Sequence, residues 1–248
     1  MKIHPNVLLV LDAARLDGGK LFLEGQLDRK LYVEVAKVLE AAGGKWNRKA
    51  KAHVFDGDAA EAVEPILLTG EVTRTKKDFG QFFTPPGIAA HMVDLADLRD
   101  GHRVLEPSAG GGAIWVELRG RRTAVEIDTK LADRLREKCT FGDWGVAHGD
   151  FLLKDPESVG GPFDRIVMNP PFGQQADIKH VMHAWTFLKP GGRLVSIMSS
   201  SVTYRSTSKA VEFRAFIQKQ GGTIETMPSG AFKSSGTDVS TVMVAFDA

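Results

Sequence analysis

A single cysteine, Cys139, is all that this 248-residue chain contains. That count excludes both an internal disulfide framework and a Cys-rich zinc site. An excess of one charge is also missing: 32 basic and 31 acidic residues leave a formal net charge of +1. The chain as a whole is no polycation, so any attraction to nucleic acid has to come from local basic patches. No apolar run reaches membrane-spanning length, and the opening MKIHPNVLLVLDAARLDG turns polar too soon for a signal peptide. Internal repeats and low-complexity tracts are absent. Together these features give a reducing cytoplasm as the expected compartment.

What is present fits an ordinary globular chain, 43% hydrophobic and 25% charged, long enough for one large domain or for a medium and a small one. The pattern changes at TGEVTRTKKDFGQFFTPPG, which mixes basic residues with Gly and Pro. We therefore expect a small N-terminal α/β module over residues 1–72, a linker over 73–80 and a larger domain over 81–248. In the module, Asp28 is placed to cap a helix whose stripe is Leu31, Val35, Val38 and Leu39, and Gly43-Gly44 ends it. The following GGKWNRKAKAHVF crowds Lys45, Arg48, Lys49 and Lys51 around Trp46. It reads either as a solvated hairpin or as a patch that contacts phosphates.

Beyond the linker, strands are expected at 103–106, 123–127, 145–148, 165–168 and 193–198. Helices are expected at 87–98, 111–118, 129–138, 176–188 and 208–219, with a closing antiparallel hairpin after them. Alternating strand and helix with short connections predicts a mostly parallel, Rossmann-like α/β sheet. Three strand ends carry chemistry. VLEPSAGGGAI brings Glu106 to a turn built on glycines, and a carboxylate there suits a cationic ligand better than a pyrophosphate. AVEID places Glu126 where an acid commonly accepts from ribose hydroxyls. HGDF offers Asp150 and Phe151 to an adenine. A cationic centre, a ribose and an adenine together describe S-adenosyl-L-methionine.

QFFTPP, VLEPSAGGG, AVEID, GDF, NPPF and GGRLVSIMSS, in that order, resemble the motifs of amino-group methyltransferases of the N6-adenine-specific DNA type in the γ arrangement. The resemblance spans about residues 79–248, and it implies a seven-stranded, mostly parallel sheet closed by an antiparallel hairpin. It implies that Phe83 and Thr84 touch the methionine end of S-adenosyl-L-methionine, and that Glu106, Pro107, Ser108, Ala109, Gly110 and Gly112 hold the amino-acid portion. Glu126 and Ile127 would meet the ribose, and Asp150 and Phe151 the adenine. Asn169, Pro170, Pro171 and Phe172 would form the catalytic site, with Asn169 also beside the cofactor. The Asn169 side-chain oxygen and the Pro170 carbonyl would accept from the target amine, and Phe172 would stack on a flipped base. No metal is implied. Thr84 also reads as a cap for the helix after Pro85-Pro86. Cys139, in REKCT with no proline before it, does not suit a cytosine-C5 mechanism.

Three acceptors of the methyl group stay open: adenine in DNA, adenine in RNA, and a glutamine amide in a protein. A non-catalytic nucleic-acid-binding module is the reading from another class. DNA is the expected partner, and the family usually adds a recognition domain after the catalytic one. This chain ends at its hairpin, so recognition is expected from residues 1–72, from Arg74, Lys76 and Lys77, and from SSSVTYRSTSK, where Tyr204 and Arg205 are the expected strand contacts.

Overall fold

Asp28 caps its helix as expected: its Oδ1 accepts from the backbone N–H of Lys30 and Leu31 at 2.8 and 3.0 Å. Val35, Val38 and Leu39 then turn inward along α2, Arg29–Ala41, against α1, Pro5–Asp12, and α3, Ala59–Thr69. Asp28→Ala is expected to cost about 1 kcal/mol, the usual value of an N-cap, measured by urea unfolding. The computed structural model describes residues 3–72, 83–233 and 239–248. Arg74, Lys76 and Lys77 therefore lie outside the described residues, as do Gln81, Phe82 and residues 234–238.

The N-terminal strands are short: β1 Arg15–Asp17, β2 Lys20–Phe22, β3 Lys45–Asn47 and β4 Ala52–Val54. They form an antiparallel sheet in the order β1-β2-β4-β3. In the β3–β4 hairpin Trp46 stands opposite His53, with ring centroids 5.2 Å apart, and Lys45, Arg48, Lys49 and Lys51 are all exposed.

The larger domain starts with α4, Pro86–Leu95. Its strands are β5 Arg103–Pro107, β6 Arg121–Glu126, β7 Gly145–His148, β8 Phe163–Met168, β9 Leu188–Ser199, β10 Thr223–Thr226 and β11 Thr241–Asp247. Three helices join them: α5 Thr129–Glu137, α6 Ala176–Trp185 and α7 Ser208–Lys219. The sheet order is β10-β11-β9-β8-β5-β6-β7, with β5 to β9 parallel and β11 antiparallel to β9 and β10.

Apolar side chains alternate between the two faces of this sheet, so the strands read as continuous hydrophobic runs. Val104, Ala124, Val167, Val195 and Met243 pack with α4 and Trp115, while Leu105, Val125, Ile166, Met168, Leu194 and Val244 pack with α6 and α7. The sequence expectation of a helix at 111–118 is not met. Those residues make a series of turns, because Gly110 and Gly112 adopt φ of 54° and 78° and leave too few residues before Gly120 to propagate a helix. No helix among the described residues is long and apolar enough to cross a membrane.

One expectation about substrate contacts is overturned. Arg205 is 2% exposed and pairs with Asp12 at 3.1 Å and with Glu64 at 3.0 Å. The Tyr204 hydroxyl donates to the Leu67 carbonyl, and its ring packs against the core of the N-terminal module. Both side chains therefore hold the module to the larger domain rather than meeting a nucleic-acid strand. Burying an arginine beside two carboxylates satisfies three charges that would be costly apart.

Candidate functional site

The strand order reverses between β5 and β8, and open α/β sheets leave a crevice at the carboxyl ends of such a pair. Here the crevice encloses a cavity of about 280 Å³ lined by Phe83, Ser108, Gly110, Glu126, Asp150 and Asn169, among others. A smaller recess continues from it past Thr84 and Glu106, sharing Phe83, Ser108, Gly110 and Asn169 with the main cavity.

The turn after β5 is shaped by its backbone. Ser108 and Gly110 have φ of 60° and 54°, the left-handed region that only glycine enters freely. At Gly111 a Cβ would sit 2.6 Å from the exposed Phe83 ring, so the glycine lets that ring lie against the turn. The turn is latched to β6, because Gly110 N–H donates to Glu126 Oε2 at 2.6 Å while Asp128 N–H donates to Oε1 at 2.8 Å. Glu126 is 3% exposed and lines the cavity, so one carboxylate both holds the glycine turn and faces the ligand space. Lys138 adds a clamp that sequence reading missed, its Nζ donating to the Gly111 carbonyl at 2.8 Å. It lies 27 residues away with no local motif to mark it.

Glu106 is 1% exposed, and its Oε2 has no hydrogen-bond partner among the described residues. Burial pushes its carboxyl well above the usual carboxylate range, and Glu126 adds to this while Arg122 and Lys138 oppose it. An orphaned acceptor in a recess wants a donor, and a cationic amine would supply one. That chemistry fits the amino-acid end of S-adenosyl-L-methionine.

At the opposite wall, Asp150 accepts from Leu152 N–H at 2.9 Å and faces the cavity. Phe151 lines the same wall, yet most of its ring is committed to His183 and Phe187, with centroids 4.9 and 5.0 Å away. His183 Nε2 contacts the carbonyls of Phe151 and Lys154, and His180 Nδ1 contacts that of Ala176 while its side of α6 lines the cavity. Ile127 stands at the lip, 61% exposed. Pro107 and Ala109 are buried supports of the turn.

Asn169 to Phe172 follow β8 and close the crevice. Asn169 Nδ2 donates to Thr84 Oγ1 at 3.1 Å, which fixes the amide plane. Thr84 thereby does something other than cap α4, whose N-cap is Pro85 with no side-chain hydrogen bond. Phe172 departs from expectation. Its ring is 2% exposed and packed with Val167, Val195 and Phe232, so it forms the cavity wall and presents no open stacking face. The polypeptide then enters two consecutive left-handed residues, Gln174 and Gln175, a conformation costing about 1–2 kcal/mol for each side-chain-bearing residue.

Residues 57–131 match the N-6 DNA Methylase family, a stretch running from α3 to the start of α5 and ending before Asn169. The chain is 31% identical over 161 residues to the type II methyltransferase M.TthHB8I of Thermus thermophilus, covering 61% of this chain and 35% of that protein. It is 30% identical over 139 residues to ribosomal RNA small subunit methyltransferase A of Dehalococcoides mccartyi, covering 53% and 47%. A solved type I restriction-modification methyltransferase subunit from Streptococcus thermophilus superposes with a TM-score of 0.60 at 18% identity, covering 75% of this chain and 48% of that one. The chain thus spans about half the length of these relatives or less. S-adenosyl-L-methionine is the cofactor that the fold and the relatives imply. The chain has the Rossmann-like methyltransferase fold, and its family match supports kinship with the N6-adenine methyltransferases.

Proposed function

We propose that this chain transfers a methyl group from S-adenosyl-L-methionine to the exocyclic N6 amine of adenine in DNA, the base being flipped out of its stack into the crevice. The observation that carries this reading is one crevice holding both a buried Glu106, whose Oε2 has no hydrogen-bond partner among the described residues, and an Asn169 amide oriented by Thr84. The cofactor supplies a methyl carbon bonded to a cationic sulfur, open to attack by a nitrogen lone pair.

The residues of the chain bind and orient. Glu106 meets the cationic amine, and the turn latched by Glu126 supports the same end. Glu126 takes the ribose hydroxyls, and Asp150 with Phe151 takes the adenine of the cofactor. The Asn169 side-chain oxygen and the Pro170 carbonyl accept from the target amine. They favour the pyramidal nitrogen whose lone pair is no longer spread into the ring. The methylated nitrogen is acidic enough to lose its proton to water, so positioning carries the catalysis. Pro170, Pro171 and Phe172 shape the wall that excludes solvent.

DNA as the polymer draws support from the family match and from the restriction-modification relatives. Tritiated S-adenosyl-L-methionine with duplex DNA, single-stranded DNA, RNA or protein extract tests it. Label is expected in DNA; label in RNA alone would overturn the DNA reading, and the ribosomal RNA relative makes that arm worth running.

The exposed β3–β4 hairpin is the proposed grip on the phosphate backbone. Replacing Lys45, Arg48, Lys49 and Lys51 together by alanine is expected to weaken nucleic-acid binding. It should also flatten the plot of log affinity against log salt by about 0.9 for each phosphate no longer neutralised. An unchanged slope would leave this hairpin, with its half-exposed Trp46, as a solvated face.

A further inference from the structure

The turn that follows Phe172 needs holding. Gln174 and Gln175 have φ of 53° and 57°, although neither is glycine. Such a pair persists only where its surroundings over-determine it. Three contacts anchor it, two on the pair itself and one on Asp177, the second residue after it. Thr207 Oγ1 donates to Gln175 Oε1 at 2.7 Å, and Asp177 Oδ2 accepts from Ser199 N–H at 3.0 Å, both within the larger domain. The third crosses from the N-terminal module: Gln174 N–H donates to Glu64 Oε1 at 2.8 Å. Glu64 is itself anchored, since its Oε2 accepts from Arg205 Nη2 at 3.0 Å and Arg205 also pairs with Asp12 at the end of α1. One carboxylate thus joins the ion cluster between the two parts with one oxygen and grips the turn with the other.

We infer that Glu64 is a positioning residue for Asn169–Phe172, through which the N-terminal module sets the substrate wall of the crevice. The inference rests on the reading of that segment as the substrate side of the reaction. Between Asn169 and Phe172 the chain has few soft torsions, because Pro170 and Pro171 have fixed φ and Phe172 is held in the core. Gly173 is the soft joint that follows, with open space around it, and fixing Gln174 on its far side removes the slack that this joint would otherwise give the segment. The module does more than present its basic hairpin; it completes the crevice.

Amide hydrogen exchange read by mass spectrometry on the full chain tests this without needing turnover. Glu64→Ala is expected to speed exchange over residues 172–176 by about tenfold while β9 and β11 stay as in the parent chain. Methyl transfer should fall about tenfold in kcat, with cofactor Kd changed by less than about twofold. Glu64→Gln keeps an acceptor for Gln174 N–H and should retain most of the protection. Unchanged exchange over 172–176 in Glu64→Ala overturns the inference. So does an equal loss in Glu64→Gln, or a rise spread evenly over β9 and β11. A parent chain that transfers no methyl group would sink the functional reading instead, and the exchange result would still decide whether Glu64 holds the turn.

Discussion

Asn169→Ala is expected to lower methyl transfer by about 10²–10³-fold, the usual cost of removing one preorganised group that stabilises developing charge. The substitution deletes the side-chain oxygen proposed to accept from the target amine, and it leaves Thr84 Oγ1 without the Nδ2 donor that now sits 3.1 Å away. Cofactor affinity should change little, since the hydrogen bonds that latch the glycine turn to Glu126 do not involve the Asn169 side chain. Turnover with tritiated cofactor and calorimetric titration together separate the two effects. A variant that turns over within about twofold of the parent would remove Asn169 from the chemistry. Loss of cofactor binding in step with activity would move its role to the cofactor.

Glu106→Gln is expected to weaken cofactor binding by about 10–100-fold, the range of a hydrogen bond to a charged group. Burial is the cause. Glu106 lies in a recess with an unpartnered oxygen, and removal from water raises its carboxyl well above the usual range. Its folded-state pKa is therefore higher than in the unfolded chain, so the folded protein holds this proton where the unfolded chain has released it. The stability contributed by Glu106 is full below the ordinary carboxylate range and is lost as pH rises through the folded value. Glu106→Gln should flatten that part of the stability–pH curve in thermal unfolding without cofactor. Binding of a cationic amine favours the ionised form and so expels the proton. Calorimetry at mildly acidic pH, in two buffers of different ionisation enthalpy, should record proton release in the parent and none in Glu106→Gln. Equal proton counts in the two proteins would mean that another group meets the amine.

Several features of this protein could be read along the chain because their causes are local. Asp28 caps α2 because a short carboxylate reaches N–H groups two and three residues ahead. The strands expected at 103–106, 165–168 and 193–198 announced themselves as apolar runs and lie within β5, β8 and β9, since a sheet covered on both faces buries side chains of both orientations; the first half of β9, Leu188 to Gly192, carried no such run. Glu106, Glu126, Asp150 and Asn169 converge on one crevice because parallel strands deliver their carboxyl ends to the same edge.

Other features depend on neighbours distant in sequence, and the chain gave no local sign of them. Residues 111–118 carry an apolar pattern that looks helical, but their turns are set by the latch of Gly110 to Glu126 and the closeness of Gly111 to Phe83. Phe172 looks like an exposed ring after a proline pair, whereas packing against Phe232 and Val195 claims its surface. Tyr204 and Arg205 sit in a polar loop of the kind that meets a ligand. Only the docking of α1 and α3 supplies Asp12, Glu64 and the Leu67 carbonyl that bury them.

The sequence by itself determined the alternation of strand and helix, the edge on which ligands gather and the acids and amide that stand there, because periodicity and strand polarity are properties of neighbouring residues. The tertiary structure alone decided which of those groups are still open to a ligand and which are already spent on one another. Glu64 meets Gln174 across 110 residues, and Arg205 meets Glu64 across 141. Contacts at that separation follow from how two cores are brought together, and no local pattern encodes them.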